Sequence, residues 1–161
     1  MKTAVKKQPQ IIAPDAYPQM MSKPNAARAA LTLRSAQVAE KAQAAMEAQI
    51  PAMRAAILGY VEELEKAQGD MTLVFEKAHE IRGFAETAGL VTTGRIADIL
   101  CRYMDDMERI KKPLDVTLVA LNVSAIGRAA RTEDGNAAMG DVVAAELAAL
   151  VARRLADAGQ G

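Results

Sequence analysis

Tryptophan is absent from this chain, and two phenylalanines and three tyrosines supply all of its aromatic surface. Strands favour aromatic and β-branched residues, so this scarcity argues against a sheet. Cysteine occurs once, at Cys101, which excludes an internal disulfide. Histidine also occurs once, at His79. One histidine and one cysteine supply too few soft ligands for zinc, so no metal site is expected. No apolar run approaches the ~20 residues needed to span a bilayer. With no signal-peptide-like stretch either, the expected location is cytoplasmic, with no membrane partner. Net charge is lacking too, since 20 basic residues balance 20 acidic ones. Nucleic-acid binders carry a basic excess, so no nucleic-acid partner is expected. The one local imbalance, Lys2, Lys6, Lys7, Lys23, Arg28 and Arg34 against Asp15 over residues 1–34, reads as a solvated tail.

Alanine and methionine are plentiful instead. The chain has 161 residues, 51% of them hydrophobic and 25% charged, which suits one soluble domain of ordinary polarity. Alanine is the best helix former, so the fold class is all-α. Residues 1–24 hold Pro9, Pro14, Pro18 and Pro24 without helical period and read as an extended arm. An alanine-rich helix follows over 25–48, with a weak apolar face. Pro51 marks a kink or a new start, and a second helix over 51–67 turns Ile57, Leu58, Val61 and Leu64 inward. Gly69 and Asp70 form a stop and an N-cap before a third helix at 71–88, which Gly89 ends. The fourth, over 93–111, carries a stripe of Ile96, Ile99, Leu100, Tyr103, Met107 and Ile110. Pro113 and Asp115 introduce a fifth at 114–131, with Leu118, Leu121 and Ile126. A turn at 132–136 leads to a last helix over 138–157, showing Met139, Val142, Val143, Leu147, Leu150 and Val151. Short connections make neighbouring helices antiparallel. The expected architecture is an antiparallel four-helix bundle over 50–131, with additional flanking helices at 25–49 and 132–161.

The chemistry concentrates on the third helix. Met71, Val74, Ala78, Ile81, Ala85 and Ala88 follow steps of three and four and form one buried stripe. The opposite side carries Thr72, Glu76, His79, Arg82, Gly83 and Glu86. A helix-interior glycine costs about 0.8–1 kcal/mol relative to alanine. Gly83, one turn beyond His79 on the same face, thus marks a place where another body approaches closely. Arg82 brings a fixed cation beside the imidazole, and guanidinium suits phosphate oxygens. An exposed imidazole, a cation and a clearing on one face fit a phosphoryl group carried on a ring nitrogen.

The run Ala78-His79-Glu80-Ile81-Arg82-Gly83-Phe84-Ala85-Glu86-Thr87-Ala88-Gly89-Leu90 resembles the signature of histidine-containing phosphotransfer domains. That signature has a phospho-accepting His, an aliphatic residue at +2, Lys or Arg at +3, Gly at +4, a small residue at +6 and Gly at +10. Asp70 also matches the usual entry to the signature helix. The resemblance covers about residues 50–130. It implies a four-helix bundle that relays a phosphoryl group between the aspartates of two receiver domains, one on a hybrid histidine kinase and one on a response regulator. His79 is then the phospho-acceptor, Arg82 neutralises phosphate and Gly83 grants access. Phe75, Glu76 and Glu86 are the expected receiver-docking face, with core packing at the edge of the bundle as the other reading of Phe75. The chain itself needs no cofactor, since the receiver supplies the magnesium, a lysine and the aspartate.

His79-Glu80-Ile81-Arg82 also echoes the phosphorylated box of sensor-kinase dimerisation domains, where a proline normally stands at +5. Here Phe84 occupies that place, so the match lapses. No glycine-rich ATP lid is present, so no autonomous kinase activity is expected. A dimeric phosphotransferase and a non-catalytic helical adaptor are the alternatives to a monomeric relay protein. Cys101 reads as a small packed residue, and Asp105-Asp106 as a solvated helix edge.

Overall fold

A computed structural model describes residues 22–67, 69–132 and 137–159. Most of the expected arm over 1–24 and most of the turn at 132–136 lie outside those residues. Among the described residues the chain is all-helical, without strands. The helices are α1 (Lys23–Leu33), α2 (Ala36–Lys66), α3 (Met71–Phe84), α4 (Val91–Arg109), α5 (Val116–Arg131) and α6 (Ala137–Gly159). Contacts divide the chain into two compact units, residues 1–45 and 46–161.

In the first unit, Pro24 stands in the first turn of α1, where a missing amide donor costs nothing. No residue of α1 is buried. The expected continuous helix over 25–48 is interrupted at Arg34-Ser35, because Ser35 offers a better start. Its carbonyl accepts from the Val38 and Ala39 amides, and its Oγ lies 3.4 Å from the Val38 amide. Conversely, α2 continues through Pro51, so no new helix starts there. Pro51 is exposed, and water can serve the backbone where the ring removes one N–H.

The second unit has one apolar core. Ile57, Val61 and Leu64 of α2 join Val74, Ala78 and Ile81 of α3, a long set on α4, and Leu118, Val119 and Ile126 of α5. Helix α4 is central, packing on α3, α5 and α6. Its Ile96, Ala97, Leu100, Cys101, Tyr103 and Met107 are shut off from solvent. Tyr103, the largest buried side chain, keeps its hydroxyl satisfied by accepting the Asp115 amide at 2.9 Å. Asp115 in turn caps α5, its carboxylate accepting from the Thr117 and Leu118 amides. Across the surface, Arg131 clasps Glu65 through two bonds of 2.6 and 2.7 Å, tying α5 to α2.

The buried stripe of α6 differs from the expected one. Ala144, Leu147, Val151 and Ala158 face the core, while Met139 (58%) and Val142 (57%) are exposed and Val143 and Leu150 are more than a third exposed. Small residues let this helix lie close against α4: a Cβ on Gly140 would stand 2.5 Å from Thr92 Oγ1. Of the expected stripe, Leu147 and Val151 enter the core and the other four lie outside it. Leu58 and Leu121, expected inward, are likewise exposed, at the edges of stripes centred on Ile57 and on Asn122.

Candidate functional site

Asp70 starts the helix that bears the site, its Oδ1 accepting the Thr72 and Leu73 amides at 3.1 and 3.0 Å. Gly69 before it has φ +92°, a conformation that costs glycine little. The far end closes in a Schellman motif around Gly89, φ +77°. Leu90 N–H donates to Ala85 O at 2.7 Å and Gly89 N–H to Glu86 O at 3.0 Å. Between these two ends Val74, Ala78, Ile81, Ala85 and Ala88 are buried and Met71 is half-buried, as the spacing predicts. His79, Glu76, Gly83 and Glu86 are therefore exposed, and Arg82 is half-buried.

The structure brings four of the six expected site residues together. Arg82 Nη2 donates to His79 Nδ1 at 3.0 Å. The Phe75 ring lies one turn before, with its centroid 6.0 Å from that of the imidazole. Apart from its chain neighbours and the helix's own backbone, no atom comes within 4 Å of the place where a Gly83 Cβ would stand, so the helix surface one turn beyond His79 is open. Glu76 instead sits 3.7 Å from Lys77 Nζ, which makes its closer bond to Glu63 at 2.7 Å. That bond raises the Lys77 pKa and fixes α3 against α2. Glu86 lies in the closing turn, on the same exposed side.

A guanidinium always donates, so Nδ1 of His79 must accept. The neutral ring in this arrangement carries its proton on Nε2. The nitrogen with the free electron pair is thus covered by Arg82, and the uncovered one is protonated. Reaction at either nitrogen requires Arg82 to move.

Arg82 has a second anchor that sequence reading missed. Its Nη1 is 3.7 Å from Asp98 Oδ1, and Asp98 Oδ2 receives Arg102 Nε at 2.8 Å. Asp98 and Arg102 are four residues apart on α4, a spacing that signals an ion pair. Nothing in that spacing says which face of α3 the pair meets.

Two cavities flank this region. One of about 550 Å³ includes Phe75 with Met71, Met104 and Leu114, beside the start of α3. Another of about 740 Å³ lies among α4, α5 and α6, lined by Leu90, Thr93, Arg95, Leu121, Arg128 and Val143, and touches none of the expected site residues. Cys101 is buried, and burial pushes its thiol up to about 11. Among the described residues, no three His, Cys, Asp or Glu side chains gather as a metal site, and no helix is long and apolar enough to cross a membrane. No family model, curated protein or solved structure matches the chain.

Proposed function

We propose that the chain is a histidine phosphotransfer protein, relaying a phosphoryl group through His79 between receiver-domain aspartates of a hybrid histidine kinase and a response regulator. The observation that carries this reading is the solvent-facing His79 ring, gripped by the Arg82 guanidinium at 3.0 Å beside the clearing at Gly83. In this reading the second part of α2 with α3, α4 and α5 is the four-helix bundle, and α6 and the N-terminal helices are additions to it. The magnesium belongs to the receiver.

The chemistry asks little of this chain. A ring nitrogen's electron pair attacks phosphorus of the receiver's aspartyl phosphate. The P–O bond breaks, its electron pair returns to the carboxylate, and the ring's remaining proton passes to solvent. Such transfers depend mainly on positioning and charge neutralisation. Arg82 leaves the ring nitrogen and turns to the phosphate oxygens, where a bidentate guanidinium is well matched. Gly83 lets the receiver's acidic pocket approach the ring.

A panel of phosphorylated receiver domains, with acid lability of the product measured, tests the proposal. His79→Gln should fold like the wild type, since the side chain lies off the buried stripe, and should accept no phosphoryl group. Label persisting in that variant would refute His79 as the acceptor. Labelled ATP alone should leave the wild-type chain unlabelled.

A further inference from the structure

Arg82 is shared between a ring and a carboxylate. Its Nη2 holds His79 Nδ1 at 3.0 Å, while its Nη1 faces Asp98 Oδ1 at 3.7 Å. Asp98 is fixed from behind by Arg102, whose Nε is 2.8 Å from Oδ2. The Asp98 and Arg82 side chains are each about one-third exposed, at 33% and 34%, whereas Arg102 is largely in solvent at 74%. A carboxylate between two guanidinium groups on the α3–α4 seam is therefore an anion already in place beside the guanidinium that holds the ring.

We infer that Asp98 is a positioning residue that competes with the phosphoryl group for Arg82, and so sets how tightly His79 holds phosphate. The inference rests on His79 being the phosphoryl acceptor. Before phosphorylation, Asp98 keeps Arg82 extended along the seam and within reach of the ring. Afterwards a phosphoryl group of up to two negative charges competes with one carboxylate for the same guanidinium. Arg102 holds Asp98 in place, so the carboxylate remains a standing competitor. A relay intermediate benefits from this arrangement, because phosphate bound too firmly would not pass to the second receiver. Removing the carboxylate's charge should leave Arg82 wholly to the phosphate and shift the equilibrium towards phosphohistidine.

The test uses the full chain and N-phosphoimidazole, a small donor that needs no receiver. The donor's N–P bond breaks, its electron pair returns to the imidazole nitrogen, and that nitrogen takes up the proton displaced from His79. The reaction is reversible, so the ratio of phospho-His79 to free chain at fixed donor and imidazole concentrations gives the phosphoryl affinity. Mass spectrometry or ³¹P NMR reads it. Asp98→Asn, of the same shape, should raise the ratio about two- to fivefold, the range for a partly exposed ion pair. Arg82→Gln should lower it. In the double variant the Asp98 effect should largely vanish, because the residue acts through Arg82. Working at ~0.15 M salt keeps plain charge repulsion over more than about 8 Å small. A merely structural role for Asp98 would survive loss of Arg82.

An unchanged or lowered ratio in Asp98→Asn, with its melting temperature preserved, overturns the inference. So does an equal increment in the Arg82→Gln background. If Asp98→Asn melts early, Asp98→Glu, which keeps the charge, must restore the wild-type ratio; failure to restore it also overturns the inference. The relay reading fails separately, when no receiver donates to a chain that N-phosphoimidazole labels as described.

Discussion

At the residue scale, two helical glycines with open space beside them, half-buried Gly59 and exposed Gly83, separate transfer from folding. Apart from chain neighbours and the helix's own backbone, no atom lies within 4 Å of the place where a Cβ would stand at Gly59 on α2 or Gly83 on α3. Alanine at either position should therefore raise stability by up to ~1 kcal/mol through helix propensity and a less flexible unfolded chain. On the proposed relay reading, the two should part company in transfer. Gly59→Ala should exchange phosphoryl groups at the wild-type rate, whereas Gly83→Gln should melt no lower than wild type yet transfer about a hundredfold more slowly, since small misplacements of reacting atoms carry penalties of that size. Melting temperature and transfer rate measured on one preparation check both halves. Unimpaired transfer in Gly83→Gln would mean that the receiver docks elsewhere. The site's α3 half was readable in sequence because helical spacing alone puts His79, Arg82 and Gly83 on one exposed side. Asp98 was not readable: its place beside Arg82 depends on how α3 and α4 are rotated against each other, which no spacing within one helix encodes.

At the scale of elements, strong local signals and weak ones gave different outcomes. The caps at Asp70 and Asp115 and the stop at Gly89 were legible because each satisfies orphan backbone groups within a few residues of itself. Gly89 should be the least replaceable of these. Its φ of +77° strains any L side chain, and a Cβ there would stand 3.0 Å from Arg54 Nη2. Arg54 Nε donates to the Ala88 carbonyl at 2.8 Å, so the close approach is part of how α2 grips the end of α3. Gly89→Ala should lower stability by about 1–2 kcal/mol, the usual left-handed penalty. A denaturant midpoint unchanged from wild type would contradict this. A comparable stop at Lys111, φ 55°, left no glycine to announce it. There Lys112 N–H reaches Met107 O and Lys111 N–H reaches Glu108 O, each at 3.0 Å, so hydrogen bonding holds a non-glycine residue in the same conformation. The break at Ser35 was missed, and a new start was allowed at Pro51, because the proline signal was weighed above a serine able to cap. The α6 face was read in part: Leu147 and Val151 are buried as expected, while Ala144 and Ala158 were passed over for larger apolar residues that are exposed. Where α6 comes closest to α4, at Gly140, only a small residue fits, which hydrophobicity alone does not signal.

At the scale of the whole molecule, the core built on α4 makes the single thiol a reporter of global opening. Cys101 is inaccessible to solvent, among Leu100, Met104 and the facing helices, and burial is the largest cause that lifts its pKa to about 11. Arg82 pulls the thiol's pKa back down, while Asp105 and Asp98 add to the rise, so the Arg82–Asp98 pair also bears on this sulfur. Only thiolate reacts with disulfide reagents, and reaction needs access as well. In the native chain both conditions fail near pH 8; in the unfolded chain both are met, because the ordinary thiol value is about 8.5. Local fraying should not expose the sulfur, since α4 is covered by α3, α5 and α6. Labelling by an aromatic disulfide should therefore proceed only through opening of the core, at a rate that falls in proportion to the unfolding equilibrium when opening and closing are fast. Gly59→Ala should slow it and Gly89→Ala should hasten it, each by the factor its own change in melting stability dictates. Rapid labelling of the wild-type chain, independent of these substitutions, would show that the sulfur has a local route to solvent and that α4 is not the closed centre of this unit.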